Sequence, residues 1–234
     1  MLSRIINKLF PKLNSVDAPK QLAKYGDEAL SAFNAVGDKL GIFFMPMLGT
    51  LLGAYREHGF IKFDTDVDVI CNIKHLTPEL LDELRNQGFE IQHLFVSSDF
   101  KGVQMPMKYK GLVSDIYFTY ENKKEGNFYF YLPLPIKGYD WSYSHKWNLF
   151  SVKRIILPIF YDYCDCKMNN NTVKIPINSD EILKSIYGET FMTPIKNSHA
   201  NPPIEYYGFN EKKYTLIPIE IFEEYKIIDR IIKE

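Results

Sequence analysis

The chain has 234 residues, of which 46% are hydrophobic and 24% charged, so a largely disordered protein is excluded and one large domain is the expected size class. Its formal net charge is -1, which gives no global attraction to nucleic acid, so an anionic ligand must be held by local charges, metals or helix ends. Three cysteines without a framework spacing argue against a disulfide-stapled secreted domain and favour a reducing, cytoplasmic location.

The first segment, residues 1–13, has apolar residues at helical spacing and basic residues on its other faces. Its apolar stretches are too short for the core of a signal peptide. We favour a helix packed on its own domain. The alternative is a basic interfacial helix in peripheral contact with the inner face of a membrane. Helical periodicity then continues over residues 17–40, and Gly41 is the expected end of that helix.

The middle of the chain alternates between strand and helix patterns. Residues 42–48 predict a short buried strand, Gly49 and Thr50 open a helix ending at Gly59, and residues 60–73 predict an alternating strand. The next predicted elements are a helix with Thr77 as N-cap and Pro78 at its first position, strands over residues 90–96 and 104–109, and a hairpin of residues 111–120 and 127–134. This order indicates an α/β (α+β) fold with a mixed sheet flanked by helices.

The second half of the chain is less regular. Strand patterns cover residues 152–163 and 172–177, and a helix pattern covers residues 178–188. The tail, residues 218–233, carries an apolar stripe of Ile221, Tyr225, Ile228 and Ile232, and we expect it to dock on the body or on a second subunit of an oligomer. With no linker or repeat, residues 1–234 are interpreted as one domain. Its core is about residues 40–194, and the segments 1–13 and 218–233 are peripheral.

Asp64, Asp66 and Asp68 occupy every second position of the predicted strand over residues 60–73. Their carboxylates are therefore expected on one face, about 7 Å apart. Like charges in a partly desolvated cleft raise each other's pKa, and a divalent cation removes that penalty. Because Mg²⁺ and Mn²⁺ prefer carboxylate oxygens, the ladder predicts a site for one of these metals.

The spacing of the ladder is compatible with two other interpretations. The spacing also opens a calcium-binding EF-hand loop, but the sixth position is Val69 and the twelfth is His75, which excludes that loop. A solvated strand face that carries acidic residues stays open. The opposite face, with Phe63 and Thr65, can be buried.

The neighbourhood of the ladder favours a phosphate-handling site. Gly49 and Thr50 lie at a strand-to-helix junction, where free N–H groups and the helix dipole attract anions. Arg56, later in that helix, can pair with a phosphate. Asp115 stands in an otherwise apolar strand, where a lone carboxylate is costly unless it is a third metal ligand or the base for an attacking hydroxyl. Lys108, just before that strand, is a candidate phosphate contact.

Two weaker candidates complete the set. Lys110 is a phosphate candidate of the same kind as its neighbour two residues earlier. The aromatic stretch 138–150 can stack a cytosine or sugar ring through Trp141 or Tyr143, although aromatic residues more often form core.

Residues 49–69, GTLLGAYREHGFIKFDTDVDV, resemble the LicD and fukutin-related family of the nucleotidyltransferase-fold superfamily, and residues 173–194 resemble that family's closing segment more weakly. The resemblance implies a nucleotidyltransferase-like sheet with a C-terminal elaboration. It also implies an Mg²⁺- or Mn²⁺-dependent enzyme that moves phosphocholine, ribitol phosphate or glycerol phosphate from a CDP-linked donor. The acceptor is a hydroxyl of a cell-surface glycan, as in capsule or cell-wall synthesis, and CMP is released.

The resemblance also implies roles for individual residues. Asp66 and Asp68 match the metal-binding pair, Asp115 the third carboxylate and Asp64 the preceding acidic position. The same resemblance assigns Gly49 and Thr50 to the phosphate turn and Arg56 to the family arginine. Either Asp115 or Asp64 is then the candidate general base.

Three positions depart from the family pattern. The family usually has Trp at the position of Phe63, often has an acidic residue at that of Thr65, and in many members has Trp at that of Phe191. We interpret the first and third as packing changes. Two alternatives to the phosphotransferase stay open: a nucleotidyltransferase that adds a nucleoside monophosphate from a triphosphate, and a non-catalytic scaffold protein with the same fold.

Overall fold

The structure is a computed structural model that describes residues 17–97, 99–136, 138–194, 205–206 and 214–231. The helix predicted over residues 1–13 lies outside these residues, so its packing or membrane contact stays a prediction. The described helices are α1 (Ala18–Leu40), α2 (Leu48–Glu57), α3 (Pro78–Asn86), α4 (Trp141–Trp147), α5 (Ser179–Tyr187) and α6 (Ile219–Glu224), with 3₁₀ turns at Ile73–His75 and Ile227–Arg230.

The strands form one large sheet and one separate hairpin. They are β1 (Met45–Pro46), β2 (Asp66–Asn72), β3 (Phe89–Ile91), β4 (His93–Ser97), β5 (Gly102–Tyr109), β6 (Leu112–Asn122), β7 (Asn127–Pro135), β8 (Phe150–Pro158), β9 (Tyr163–Met168), β10 (Asn171–Pro176), β11 (Glu205–Tyr206) and β12 (Tyr214–Pro218). The large sheet has the order β1-β2-β6-β7-β8-β12-β4-β5-β3, with β11 beside β8, and β9 and β10 form the hairpin.

The sheet is mixed and curls back on itself. β2 and β6 run parallel, whereas the pairs β6–β7, β7–β8 and β4–β5 are antiparallel. β5 pairs with β6 as well as with β4, which brings two distant parts of the strand order together. Helices α1 and α2 pack against β2, and α1 also packs against β6. This arrangement confirms the predicted α/β (α+β) class with a mixed sheet flanked by helices.

Helix α1 packs on the core through one apolar side. Its apolar residues recur every three to four positions and are buried on one side of the helix. The ring of Phe33, at the centre of that side, lies 5.3 Å from the ring of Phe44 and 4.5 Å from that of Phe89. Gly41 ends the helix with a left-handed φ of 67°, which glycine adopts without steric cost. The predicted helix and its end are confirmed.

Two other local predictions are confirmed. Thr77 caps α3, because its Oγ1 accepts a hydrogen bond from the N–H of Leu80 at 3.3 Å, and Pro78 is the first helical residue. β6 and β7 form the predicted antiparallel hairpin, with Asn122 opposite Asn127.

The strand predicted over residues 60–73 is wrong before Asp66. The N–H of Asp64 donates to the carbonyl of Ile61 at 2.9 Å, which closes a turn, and β2 begins only at Asp66. The strand predicted over residues 42–48 is also shorter, at Met45–Pro46, because the chain must turn into α2 directly after it.

The single tail helix predicted over residues 218–233 is wrong. Helix α6 ends at Glu224, Lys226 has a φ of 48°, and a 3₁₀ turn follows. Of the predicted stripe, Ile221 and Tyr225 are exposed, Ile228 is buried, and Ile232 lies outside the described residues. The other buried apolar residues here are Ile219, Phe222 and Ile231. The difference arises because pairing of the preceding Pro218 with β4 sets which side of α6 meets the body. Contact of the tail with a second subunit stays a prediction.

None of the helices in the described part of the chain combines the length and the apolar composition that crossing a membrane requires.

Candidate active site

Two parallel neighbouring strands bring three acidic residues together. The register of β2 and β6 places Asp68 opposite Asp115, and Asp66 lies two residues before Asp68, on the same face. One carboxylate oxygen from each of the three residues lies within 4.8 Å of the other two. This spacing allows all three carboxylates to bind one cation. We call Asp66, Asp68 and Asp115 the carboxylate cluster.

The cluster is buried but incompletely hydrogen-bonded. Asp68 and Asp115 are 8% and 7% exposed, which contradicts the alternative of a solvated strand face. Gln104 on β5 donates its side-chain N–H to Asp115 Oδ2 at 2.8 Å. Within the described part of the chain, Asp68 Oδ1 and Asp115 Oδ1 accept no hydrogen bond. Unpaired buried carboxylate oxygens are costly, and a purely carboxylate donor set fits Mg²⁺ or Mn²⁺.

The electrostatics of the cluster disfavour three ionised carboxylates. Burial raises the pKa of Asp66 to about 7, and the charge of Asp64 adds to this increase. Burial also raises the pKa of both Asp68 and Asp115 well above the usual range, with a further contribution from the charge of Asp66. Three such neighbours resist ionising together at neutral pH unless a cation compensates them.

Thr50 holds the backbone of Asp68 in place. Its buried Oγ1 accepts a hydrogen bond from the N–H of Asp68 at 2.9 Å, and the N–H of Met47 donates to the carbonyl of Asp68 at 3.0 Å. The first turn of α2 is therefore fixed against β2. The sequence predicted Thr50 as part of a phosphate turn. The structure adds a positioning contact, and the phosphate role of its backbone stays a prediction.

Asp64 lies beside the cluster, in the turn before β2. Its Oδ1 accepts from the N–H of Thr65 at 3.1 Å. Its Oδ2 lies so close to Gly49 that a Cβ added there would stand 2.3 Å from it. Burial raises the pKa of Asp64, whereas the hydrogen bonds with Thr65 and with the carboxyl of Asp66 lower it. Gly49 therefore makes room for a carboxylate at the start of α2, a contact that the sequence did not reveal.

Arg56 and Lys108 occupy two different surroundings. The largely buried Arg56 donates from Nη1 to the carbonyl of Phe191 at 2.8 Å and from Nε to Glu57 at 2.8 Å, which ties α2 to the segment after α5. Lys108 lies on the carboxylate face of the sheet, because its register partner Val113 is also the partner of Asp66. Two strand spacings separate Lys108 from Asp66, about 10 Å. Their phosphate contacts stay predictions.

Two residues near the cluster were missed as site residues. Gln104, the donor to Asp115, follows the same alternation along β5 that places Lys108 on this face, and that alternation was the available signal. Tyr187, at the end of α5, is partly buried beside the acidic residues. Burial raises the pKa of its phenol, and the charges of Asp68 and Asp64 raise it further. The sequence marked Tyr187 only as part of the closing segment, residues 173–194.

The weaker candidates, Lys110, Trp141 and Tyr143, make contacts with residues outside the carboxylate cluster. Lys110 forms an ion pair with Glu28 of α1. Trp141 packs with its ring 6.1 Å from that of Phe150, and the ring of Tyr143 stacks at 3.8 Å on that of Tyr139. Their binding roles stay predictions.

The two aromatic departures from the family pattern differ. Phe191 is buried, with its ring 5.9 Å from that of Tyr55, so it is a packing residue as interpreted. Phe63 is 76% exposed, so the packing interpretation is wrong for this residue.

Comparison with known proteins agrees with this geometry. A family model described as LicD/FKTN/FKRP, nucleotidyltransferase domain, matches residues 41–178, which is more than half of the chain and includes the whole carboxylate cluster.

Individual relatives are more distant. The chain is 25% identical over 199 residues to Ribitol-5-phosphate transferase FKTN of Mus musculus, covering 81% of this chain and 38% of the mouse protein. It is 23% identical over 184 residues to the protein of the same name from Homo sapiens, covering 78% of this chain and 36% of the human protein. The chain thus spans little more than a third of the length of these relatives.

Proposed function

The chain belongs to the LicD/FKTN/FKRP family of nucleotidyltransferase domains, and from this premise we propose that it is a metal-dependent phosphotransferase acting on a glycan. The donor would be a CDP-linked alcohol, the acceptor a sugar hydroxyl, and the leaving group CMP. Ribitol phosphate is the first cargo to test, because the relatives are named as ribitol-5-phosphate transferases. Glycerol phosphate and phosphocholine are the other candidate cargoes.

The observation that carries the proposal is a pair of buried oxygens, Asp68 Oδ1 and Asp115 Oδ1, that have no hydrogen-bond partner among the described residues. They belong to a cluster with Asp66 in which one oxygen of each residue lies within 4.8 Å of the others. These three residues would hold Mg²⁺ or Mn²⁺. A bound ion there would neutralise charge on the donor diphosphate and on the departing CMP. A scaffold protein would gain nothing from carboxylates whose burial is this costly.

The surrounding residues would fix the geometry. Gln104 holds Asp115 Oδ2 at 2.8 Å, which leaves Oδ1 for the cluster, and Thr50 holds the backbone of Asp68 at 2.9 Å. Arg56 and Lys108 would contact donor phosphates, together with the N–H groups of the first turn of α2 at Gly49.

The proton of the attacking hydroxyl needs an acceptor. Asp64 is the better of the two candidates, because it lies beside the carboxylate cluster without being one of the three residues that would hold the metal. In the proposed step the sugar oxygen forms a bond to the phosphorus of the cargo phosphate. The bond from that phosphorus to the CMP oxygen breaks, CMP leaves, and the proton passes to Asp64.

The test is to incubate the purified protein with Mg²⁺ or Mn²⁺, a mixed glycan acceptor preparation, and either CDP-ribitol, CDP-glycerol, CDP-choline or nucleoside triphosphates. CMP release from a CDP-alcohol, absent in Asp68→Asn, supports the proposal. Pyrophosphate release from triphosphates alone would instead establish a nucleotidyltransferase. Neither reaction, together with no metal binding, would establish a scaffold.

A further inference from the structure

Phe63 stands out by its exposure. At 76% it is the most exposed large hydrophobic side chain of the described residues, whereas Phe44, earlier in the same region, is buried in the core. Single exposed apolar residues are common and need no explanation by themselves. Phe63 differs from an ordinary surface residue because of how the chain holds it and what lies next to it.

The turn that carries Phe63 is fixed at both ends. At its start, Ile61 packs on the core and lies against Gly53 of α2. The turn closes through the 2.9 Å hydrogen bond from the N–H of Asp64 to the carbonyl of Ile61. At its end, Asp64 is held between the N–H of Thr65 and Gly49. The aromatic ring is therefore presented to solvent by an anchored turn rather than by a loose loop.

Phe63 lies close to the candidate active site along the chain. Phe63 directly precedes Asp64 and lies three residues before Asp66, so chain geometry keeps its Cα within about 11 Å of the Cα of Asp66. The ammonium of Lys62 lies 5.6 Å from the centroid of the Phe63 ring. An apolar ring flanked by a cation is thus carried by a residue whose Cα lies within about 11 Å of a cluster suited to a metal and a diphosphate.

We propose that Phe63 is the stacking platform for the base of the donor nucleotide, an inference that rests on the proposed function. A phenyl ring offers a flat apolar face and no hydrogen-bonding group. The open-chain polyol cargo has no ring to stack, and a sugar ring of the glycan offers a face that is neither planar nor aromatic. A nucleobase is planar and aromatic, and stacking on an aromatic side chain binds it without a hydrogen bond. Of the three parts of the reaction, the base therefore matches the ring.

The test is calorimetric titration with Mn²⁺ and either CDP or inorganic pyrophosphate, which lacks a base. Phe63→Ala should weaken CDP binding by about 5- to 150-fold, the range of a single base–aromatic stack, and leave pyrophosphate and Mn²⁺ binding unchanged. Phe63→Trp should bind CDP at least as well as the wild-type protein. Tyr225→Ala, which removes an aromatic ring of similar exposure (65%) from the tail, is the matched control and should change nothing.

The outcomes separate this inference from the function it rests on. If the wild-type protein binds CDP and Phe63→Ala binds it equally well, the platform is wrong while the phosphotransferase stands. If Phe63→Ala weakens CDP and pyrophosphate equally, the residue supports the phosphate site rather than the base, and the platform is again wrong. If the wild-type protein binds neither ligand with Mn²⁺, the CDP-dependent function fails and the platform fails with it.

Discussion

Two regions of this protein bury carboxylates, and they do so in opposite ways. Glu83 on α3 is 4% exposed, yet both of its oxygens are hydrogen-bonded. Lys39 and Asn86 donate to Oε2, and Gln87 donates to Oε1 at 3.0 Å. The hydrogen bond from Lys39 leads the causes that lower the pKa of Glu83 to about 2.

In the carboxylate cluster burial has the opposite consequence. Asp68 and Asp115 each keep one oxygen without a hydrogen-bond donor in the described residues, and burial raises the pKa of both. Burial alone therefore does not identify a functional carboxylate. The supply of donors distinguishes the two: Glu83 is completed by its own chain and stabilises the fold, whereas the cluster keeps two oxygens without a donor among the described residues.

The largest effect is expected from neutralising one member of the cluster. Asp68→Asn should lower the rate of CMP release by roughly 10³-fold or more, since several kcal/mol of charge stabilisation depends on the bound metal. It should also abolish Mn²⁺ binding in calorimetry, and Asp115→Asn should behave alike. Glu83→Gln is the control and should retain both properties. Equal Mn²⁺ affinity in Asp68→Asn and the wild-type protein would remove the distinction between the two regions.

The second effect concerns stability without metal. The pKa of Asp66 is raised to about 7 in the folded protein from an ordinary value of 3.8. A raised carboxyl pKa contributes stability that is complete below pH 3.8 and is lost as the pH rises through 7. The loss for Asp66 is at most about 4 kcal/mol, at about 1.36 kcal/mol per pKa unit.

Denaturant unfolding with chelator should therefore give a lower free energy of unfolding at pH 8 than at pH 5, and Mn²⁺ should restore the stability lost at pH 8. Asp66→Asn should flatten this dependence. An unchanged profile in that variant would show that the cluster does not carry the unfavourable charge.

A third, smaller effect tests the contact between Gly49 and Asp64. In Gly49→Ala the new methyl group would stand 2.3 Å from Asp64 Oδ2, so the carboxylate must move. We expect a loss of about 1–3 kcal/mol in the free energy of unfolding and a slower transfer reaction. If the clash is the cause, the stability cost of Gly49→Ala should largely disappear in an Asp64→Ala background. Equal costs in the two backgrounds would place the strain elsewhere.

The smallest effect is expected at Glu83. Its pKa is lowered from 4.5 to about 2, so its charge contributes stability that is present above pH 4.5 and is lost as the pH falls toward 2. Glu83→Gln should therefore melt below the wild-type temperature at pH 7, with the gap closing in acid. Transfer activity at pH 7 should be unchanged. A gap that stays constant from pH 7 to pH 2 would mean that shape rather than charge makes Glu83 stabilising.

Local elements and features set by distant contacts differ in how far the sequence predicts them. Helix α1, the Thr77 cap and the β6–β7 hairpin were predicted because their signals lie within a few residues of one another. The departure of Asp64 from the strand was not predicted, because alternation continues through the turn that ends at Asp64. The exposure of Phe63 was missed for the same reason.

The tail shows the same limit. The predicted stripe through Ile221 and Tyr225 assumed one continuous helix, but the side of α6 that is buried depends on the pairing of Pro218 with His93 of β4. Partners this far apart in the chain leave no mark on local periodicity.

By itself, the sequence determined the identity of the acidic residues, the spacing of Asp66 and Asp68, and the local elements that carry them, because these depend on covalent order and side-chain period. The tertiary structure alone decided that Asp115 lies opposite Asp68 and that Gln104 donates to one oxygen of Asp115. It also decided that Asp68 Oδ1 and Asp115 Oδ1 lack a donor among the described residues. Strand register and burial arise from contacts between residues distant in the chain, and these contacts separate the cluster from the self-sufficient Glu83.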